Sequence, residues 1–269
     1  MRIRVAHAIS HRYGQPARAI SEVLRLTPAD NDGQQVSHWR VAPSLDGRLR
    51  AGEDVYGNRL HRFEAEGPIE ELTILVEGTV DTFDTAGVLR GAPERLPAEV
   101  FLRMTPLTQP DEALIAFADG VGAKAAGVLE RLHLILSTLH QELATERPAE
   151  TLLPEQTAAA CYKAGKGLPQ DLTHVFIAAA RHLDIPARCI TGYVAAEAGA
   201  AADRTHAWAE GFVEGLGWIG FDVASGLCPG LGHIRLASGL DHAEIAPVRW
   251  TRTGGGAEKL AMSLRIEAA

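Results

Sequence analysis

The residues best suited to chemistry fall in three short segments of the second half of the chain. They are Gly165-Lys166-Gly167-Leu168-Pro169-Gln170-Asp171, Thr205-His206-Ala207-Trp208-Ala209-Glu210 and Gly217-Trp218-Ile219-Gly220-Phe221-Asp222. His206 and Asp222 lie on predicted strands either side of Gly215-Leu216-Gly217, a hairpin signal, so the carboxylate can approach the imidazole. An aspartate bonded to one ring nitrogen fixes the tautomer and leaves the other nitrogen as a base. A nucleophile at a nearby helix N-terminus would complete a triad, because the helix dipole lowers a thiol pKa there. The plain alternative is a hydrogen-bonded histidine inside a sheet.

Other residues offer less. His174 lies one helical turn beyond Gln170 and shares its face. With His206 and Asp222 it would imitate a two-histidine, one-carboxylate metal set. Three ligands from separate elements lack a local spacing signature, so neither a metal nor a cofactor is expected. Cys161, Cys189 and Cys228 are widely spaced and include no CxxC pair. Cys189 reads as a small core residue on an apolar strand, Cys228 as the most exposed of the three, and all three as incidental thiols. Trp208 and Trp218, with Gln170 and His174, either line a cleft or pack between sheet and helix.

Behind these segments stand the elements that must position them. Residues 1–95 read as β-structure: Leu72, Ile74, Val76 and Val80 follow period-2 alternation, residues 36–41 form a second strand, and Tyr56-Gly57-Asn58 is a turn. Asp111 is a plausible N-cap for a short helix, and a longer one is expected over residues 124–143, ended by Arg147-Pro148. A helix over residues 157–164 closes at Gly165. The next starts at Pro169, with Asp171 in its first turn, and stops before Pro186. Strands follow over residues 188–194, 205–214, 218–222 and 260–266, with a surface loop over 195–204. The predicted class is α+β: a β-sandwich-like domain over 1–95, then over 96–269 helices packed on an antiparallel sheet.

Composition narrows the function classes. The 269 residues are 46% hydrophobic and 22% charged, an ordinary globular mix. A net charge of −8 disfavours non-specific binding to nucleic acid or an anionic membrane. No apolar run approaches a membrane span, and residues 1–7 contain no apolar signal region. The expectation is a cytoplasmic chain with reduced thiols.

The ordered motifs resemble the bacterial transglutaminase-like family, a group of cysteine-protease-like proteins. Its core pattern runs G-x-G-V-C-Q-D-x-x-H, then R-x-x-G-I-P-A-R-x-V-S-G-Y, then H-A-W-x-E and G-W-x-x-F-D. This chain has Gly165 to His174, Arg181 to Tyr193, His206 to Glu210 and Gly217 to Asp222 at the corresponding places. The first ~90 residues resemble the family's N-terminal region through His7, His11, Tyr13 and Tyr56-Gly57-Asn58. Gly239-Leu240-Asp241-His242 and Ala246-Pro247-Val248-Arg249 match its tail. The resemblance implies a papain-like core and a remnant triad at Pro169, His206 and Asp222. Pro169 stands where the family's nucleophilic cysteine is expected. Proline has no nucleophilic atom, yet it suits the first position of a helix, so the fold can persist without the thiol chemistry.

Three readings follow from that resemblance: a pseudoenzyme that binds a peptide or partner protein; an active acyl-transfer or peptide/isopeptide hydrolase using His206 and Asp222 with a substituted thiol, water or metal; and a purely structural subunit. The family's setting implies partners among the products of neighbouring ATP-grasp and alpha-E genes.

Overall fold

The computed structural model describes residues 1–146, 155–195 and 205–268. The first sheet is built on two long strands, β1 (Arg2–Leu24) and β4 (Arg59–Thr82), with β2 (Gln34–Pro43) and β3 (Arg48–Glu53) between them in sequence. β1 and β4 run antiparallel from the Arg2–Asp81 pair to Leu24–His61, with register shifts between Arg12 and Ala19. β2 pairs with the second half of β4 and β3 with its first half. One core joins Ile9, Ile74 and Val76 from one half of this ribbon to Ile20, Leu24 and Phe63 from the other, so the sheet doubles over at the irregularity. Leu72, Ile74, Val76 and Val80 share the buried face, as their alternation requires.

After the two-residue strand β5 (Val88–Leu89) come the helices α1 (Glu112–Lys124) and α2 (Val128–Glu142). Asp111 caps α1 by accepting from the Leu114 N–H at 3.0 Å. The longer helix expected over 124–143 starts later: Lys124 ends α1, Ala125 turns extended, and Gly127 opens α2. α2 closes at Glu142, before Arg147-Pro148, which lies outside the described residues. β6 (Ala144–Thr145) pairs in parallel with β7 (Lys166–Gly167), flanking α3 (Ala158–Ala164), and α4 (Pro169–His182) follows. The second sheet takes β8 (Ala187–Val194), β9 (His206–Val213), β10 (Gly217–Phe221) and β11 (His233–Gly239), in the order β11-β8-β9-β10-β5. The surface loop expected over 195–204 lies almost wholly outside the described residues.

α4 is the pillar of this half. Every residue from Asp171 to Arg181 is buried, between α1, α2 and α3 and the sheet. Arg181 is held inside by donating to the Phe101, Ala187 and Leu240 carbonyls and the Thr108 hydroxyl. That web gives a buried guanidinium the partners it needs. No described helix is long and apolar enough to cross a membrane.

The chain then departs from the expected two-part division. After α5 (His242–Ile245), β12 (Val248–Gly254) and β13 (Glu258–Ala268) leave the second sheet and pair with β1. Residues assigned by sequence to the 96–269 part therefore complete the N-terminal sheet. The alternation of residues 260–266 is legible in the sequence and β12 is not, but alternation does not name a partner strand. The two sheets meet through Ile3, Val5, Val80 and Leu264 against Tyr193, Ile234 and Leu236. At the free edge of β11, the Gln34 amide exchanges hydrogen bonds with the Arg235 backbone, and the Asn58 amide with that of Ser238. Two amide side chains thus satisfy the edge a further strand would cover.

Candidate functional site

His206 opens β9, and Asp222 directly follows β10. The Ala209–Phe221 pairing of the two strands carries the side chains to the same end of the sheet. His206 Nε2 lies 2.8 Å from Asp222 Oδ2. The Ser225 hydroxyl donates to the same oxygen at 2.8 Å, and the Ala224 N–H donates to Oδ1 at 3.0 Å. His233 Nε2 stands 3.6 Å from Oδ2, beyond hydrogen-bond length. Burial alone would push the Asp222 carboxyl up, but the hydrogen bonds from His206 and Ser225 and the nearness of His233 hold it well below the usual carboxylate range. An ionised Asp222 can only accept, so it makes Nε2 of His206 the donor and leaves Nδ1 as the ring nitrogen outside this bond. The His206 side chain is 19% exposed against 2% for Asp222, so the imidazole is the accessible member of the pair.

The Gly165–His174 segment is built around Asp171. Its Oδ2 accepts from the Leu168 N–H and its Oδ1 from the Gln156 N–H, both at 2.9 Å, capping α4 from within its first turn. Gly165 takes a left-handed φ of 68° to end α3, and Gly167 passes so close to Cys161 that a Cβ there would lie 2.7 Å from the sulfur. Pro169 is the first residue of α4, where a missing N–H costs nothing, and its carbonyl accepts from the Thr173 hydroxyl at 2.8 Å. Pro169 and Gln170 are half-buried, the last accessible residues before the enclosed body of the helix.

The axial position of Pro169 follows from packing further along α4. Arg181, near the helix end, binds the Ala187 carbonyl, and Ala187 pairs with Gly211. Phe176 stacks on Phe221 at 5.2 Å, and Phe221 pairs with Ala209. From Phe176 back to Pro169 is about 10 Å of helix, and from Ala209 back to His206 about 10 Å of strand. The first turn of α4 and His206 therefore lie toward the same end of the sheet. Alternation sets the two on different sides of the strand: Ala209 and Val213 join the core around α4, and His206, Trp208 and Glu210 take the other face.

The remaining expected residues divide. Trp208 stacks beside His206 at 6.3 Å and meets His233 edge-on at 5.4 Å, making an aromatic wall around the pair. Trp218 does not join it. Its indole is buried among Phe101 and Phe212, with the Arg188 guanidinium 3.9 Å over its ring, because Trp218 pairs with Phe212 at the far end of β9. His174 is fully buried, and its Nε2 accepts from the His242 N–H at 3.1 Å, which ties α4 to α5 instead of to His206. Among the described residues no three His, Cys, Asp or Glu side chains converge in a metal-binding group. The thiols are all pushed up: Cys161 to about 12 by burial and the Asp171 charge, Cys189 far up by burial, and Cys228 by burial. Sequence reasoning missed Ser225 and His233. Ser225 carried a usable signal, a hydroxyl three residues past a strand-ending aspartate; His233, eleven residues away across a Gly/Pro loop, carried none.

With this geometry in view, the comparisons with known proteins are consistent. Residues 3–81 match the bacterial transglutaminase-like N-terminal region, and residues 115–223 match the transglutaminase-like superfamily. The chain is thus a mixed α+β protein with a transglutaminase-like core after an N-terminal sheet region. It is 26% identical to an uncharacterized protein of Mycobacterium leprae, covering 98% of both chains. It is 24% identical to an uncharacterized protein of Mycobacterium tuberculosis, over 92% of this chain and 86% of the other. Its fold is similar to that of a putative cysteine protease from Cytophaga hutchinsonii, with a TM-score of 0.78 at 20% identity, covering 99% of this chain and 90% of that one.

Proposed function

We propose that this chain is a transglutaminase-type module that has lost thiol chemistry, has kept the His206–Asp222 pair, and binds a peptide or partner protein at the open end of α4. The observation that carries the reading is Pro169 as the first residue of that helix, in a chain that keeps the His206–Asp222 pair. Proline there removes two reactive features together, the nucleophilic side chain and the backbone N–H that a helix N-terminus turns toward developing negative charge. None of the three cysteines replaces it, since burial raises every thiol and leaves a poor supply of thiolate. Within this reading Pro169, His206 and Asp222 are the remnant triad, with Gln170 and Trp208 beside it.

Pro169→Cys tests the assignment. The new thiol is expected to titrate below free cysteine, because it sits on a helix N-terminus, and alkylation by iodoacetamide across a pH series reads this directly. A thiol that titrates like free cysteine overturns the placement. In the native chain, iodoacetamide labelling of any cysteine that His206→Ala abolishes would overturn the inactive reading. Light scattering of the chain with neighbouring ATP-grasp and alpha-E products tests the partner: a stable complex supports those candidates, and separate species removes them.

A further inference from the structure

A second histidine–carboxylate cluster lies in the N-terminal sheet, away from His206. His11, on the inward face of β1, has no exposed side-chain surface, and neither has Glu22 further along the same strand. The fold of the sheet brings them together, with His11 Nε2 and Glu22 Oε1 3.4 Å apart but without hydrogen-bond geometry. On the other side His11 Nδ1 meets Glu258 Oε1 of β13 at 2.7 Å. Glu258 also accepts from the Trp250 indole and the Arg252 guanidinium of β12. Trp250 meets the His11 ring at 4.8 Å, and Arg252 lies over the Tyr13 ring. From β4, Leu72 and Phe63 pair with His11 and Glu22 and bring no charge.

Both oxygens of Glu22, Nε2 of His11 and the hydroxyl of Tyr13 are buried with no hydrogen-bond partner among the described residues. A carboxylate so placed is far costlier to bury than a carboxylic acid. We infer that His11, Glu22 and Glu258 form a proton-operated clasp that fastens the C-terminal strands β12 and β13 to β1, closed while Glu22 keeps its proton and loosened when that proton passes to solvent. In the ionised form two carboxylates flank one imidazole, and only Glu258 has Arg252 to offset it. Burial and the charge of Glu258 push the Glu22 carboxyl up to about 7, which sets the working range near neutrality. Because the folded state holds this proton more tightly than the unfolded chain, the stabilisation is complete below the ordinary glutamate range and is lost as pH rises toward and through 7.

The experiment is amide hydrogen exchange of the full chain at pH 5.5 and pH 8, corrected for the intrinsic pH dependence of exchange. Residues 248–254 and 258–268 are expected to lose protection by roughly tenfold or more at pH 8, and in Glu22→Gln to keep equal protection at both values. Equal protection of these strands at both pH values in the native chain overturns the inference, as does a Glu22→Gln variant that loosens like the native chain. Should that variant not fold, carboxyl-carbon NMR of Glu22 in the native chain decides. A midpoint near neutrality supports the clasp, and one in the ordinary glutamate range overturns it.

Discussion

Asp222 and Glu22 each lie beside a histidine and are driven in opposite directions. Asp222 is 2% exposed and Glu22 not at all, so depth alone does not separate them. Donors do. Asp222 collects the His206 ring, the Ser225 hydroxyl and the Ala224 N–H, and it is held well below the usual range. Glu22 collects no donor and rises to about 7. Burial opposes the charged form in both places, and the count of hydrogen bonds to that form decides the sign. One end of the chain thus keeps a permanent anion that orients an imidazole, and the other holds a carboxyl that titrates near neutrality.

The largest effect expected from breaking this contrast is at Asp222. Asp222→Asn removes the charge while leaving His206, Ser225 and the Ala224 N–H in place around it. A loss of about 3 kcal/mol in unfolding free energy is expected from urea titration at pH 7. Because its folded pKa is depressed, the native Asp222 contribution is present above the ordinary aspartate range and fades only as pH falls below about 4. The unfolding curves of the native chain and the Asp222→Asn variant should therefore start to converge only below the ordinary aspartate range, and meet only once the pH has fallen through the depressed folded value. A small loss at neutral pH would mean that the donors around Asp222 are spectators. Glu22→Gln has the opposite sign: on the order of 2 kcal/mol of gain at pH 8, vanishing near pH 5, since it removes a carboxyl whose ionised form is penalised.

Between these and the smallest effect stands Asp171→Ala. It strips the acceptor from the Leu168 and Gln156 N–H groups at the head of α4, and a loss of about 1–2 kcal/mol is expected in the same titration. A negligible loss would show that α4 is held by its buried flanks alone.

What was legible in the sequence follows from range. Local signals held: the Asp111 cap, Pro169 opening α4, and the hairpin that delivers Asp222 to His206 all depend on residues near in sequence. The alternation of Leu72 to Val80 was equally clear, because burying one face of a strand leaves a period-2 record. Partner choice was not legible. Nothing local in residues 248–268 says that they return to β1, and nothing in Trp218 says that Arg188 covers it. The His11 cluster fails for the same reason. His7 and His11 sit in phase with Ile3, Val5 and Ile9, which marks them as inward, but Glu22 reaches His11 only because the sheet doubles over.

The smallest expected effect bears most on function. Pro169→Ala tests whether the proline at the head of α4 is there for stability. The first helical position leaves its N–H outside the helix ladder, and the proline φ is already helical, so proline stabilises chiefly by restricting the unfolded chain. Alanine is expected to cost only about 0.5 kcal/mol, with the Thr173 hydroxyl still bonded to the carbonyl of residue 169. A loss several times larger would mean that the ring is an integral packing element. The thiol introduced by Pro169→Cys would then report on a rearranged helix terminus. With the small loss, the same backbone carries proline, alanine or cysteine, and the pKa of the new thiol measures only what its surroundings at the helix N-terminus do to it. On the triad reading, Asp222→Asn in that background moves the thiol pKa back up, and an unmoved pKa separates the His206–Asp222 pair from residue 169.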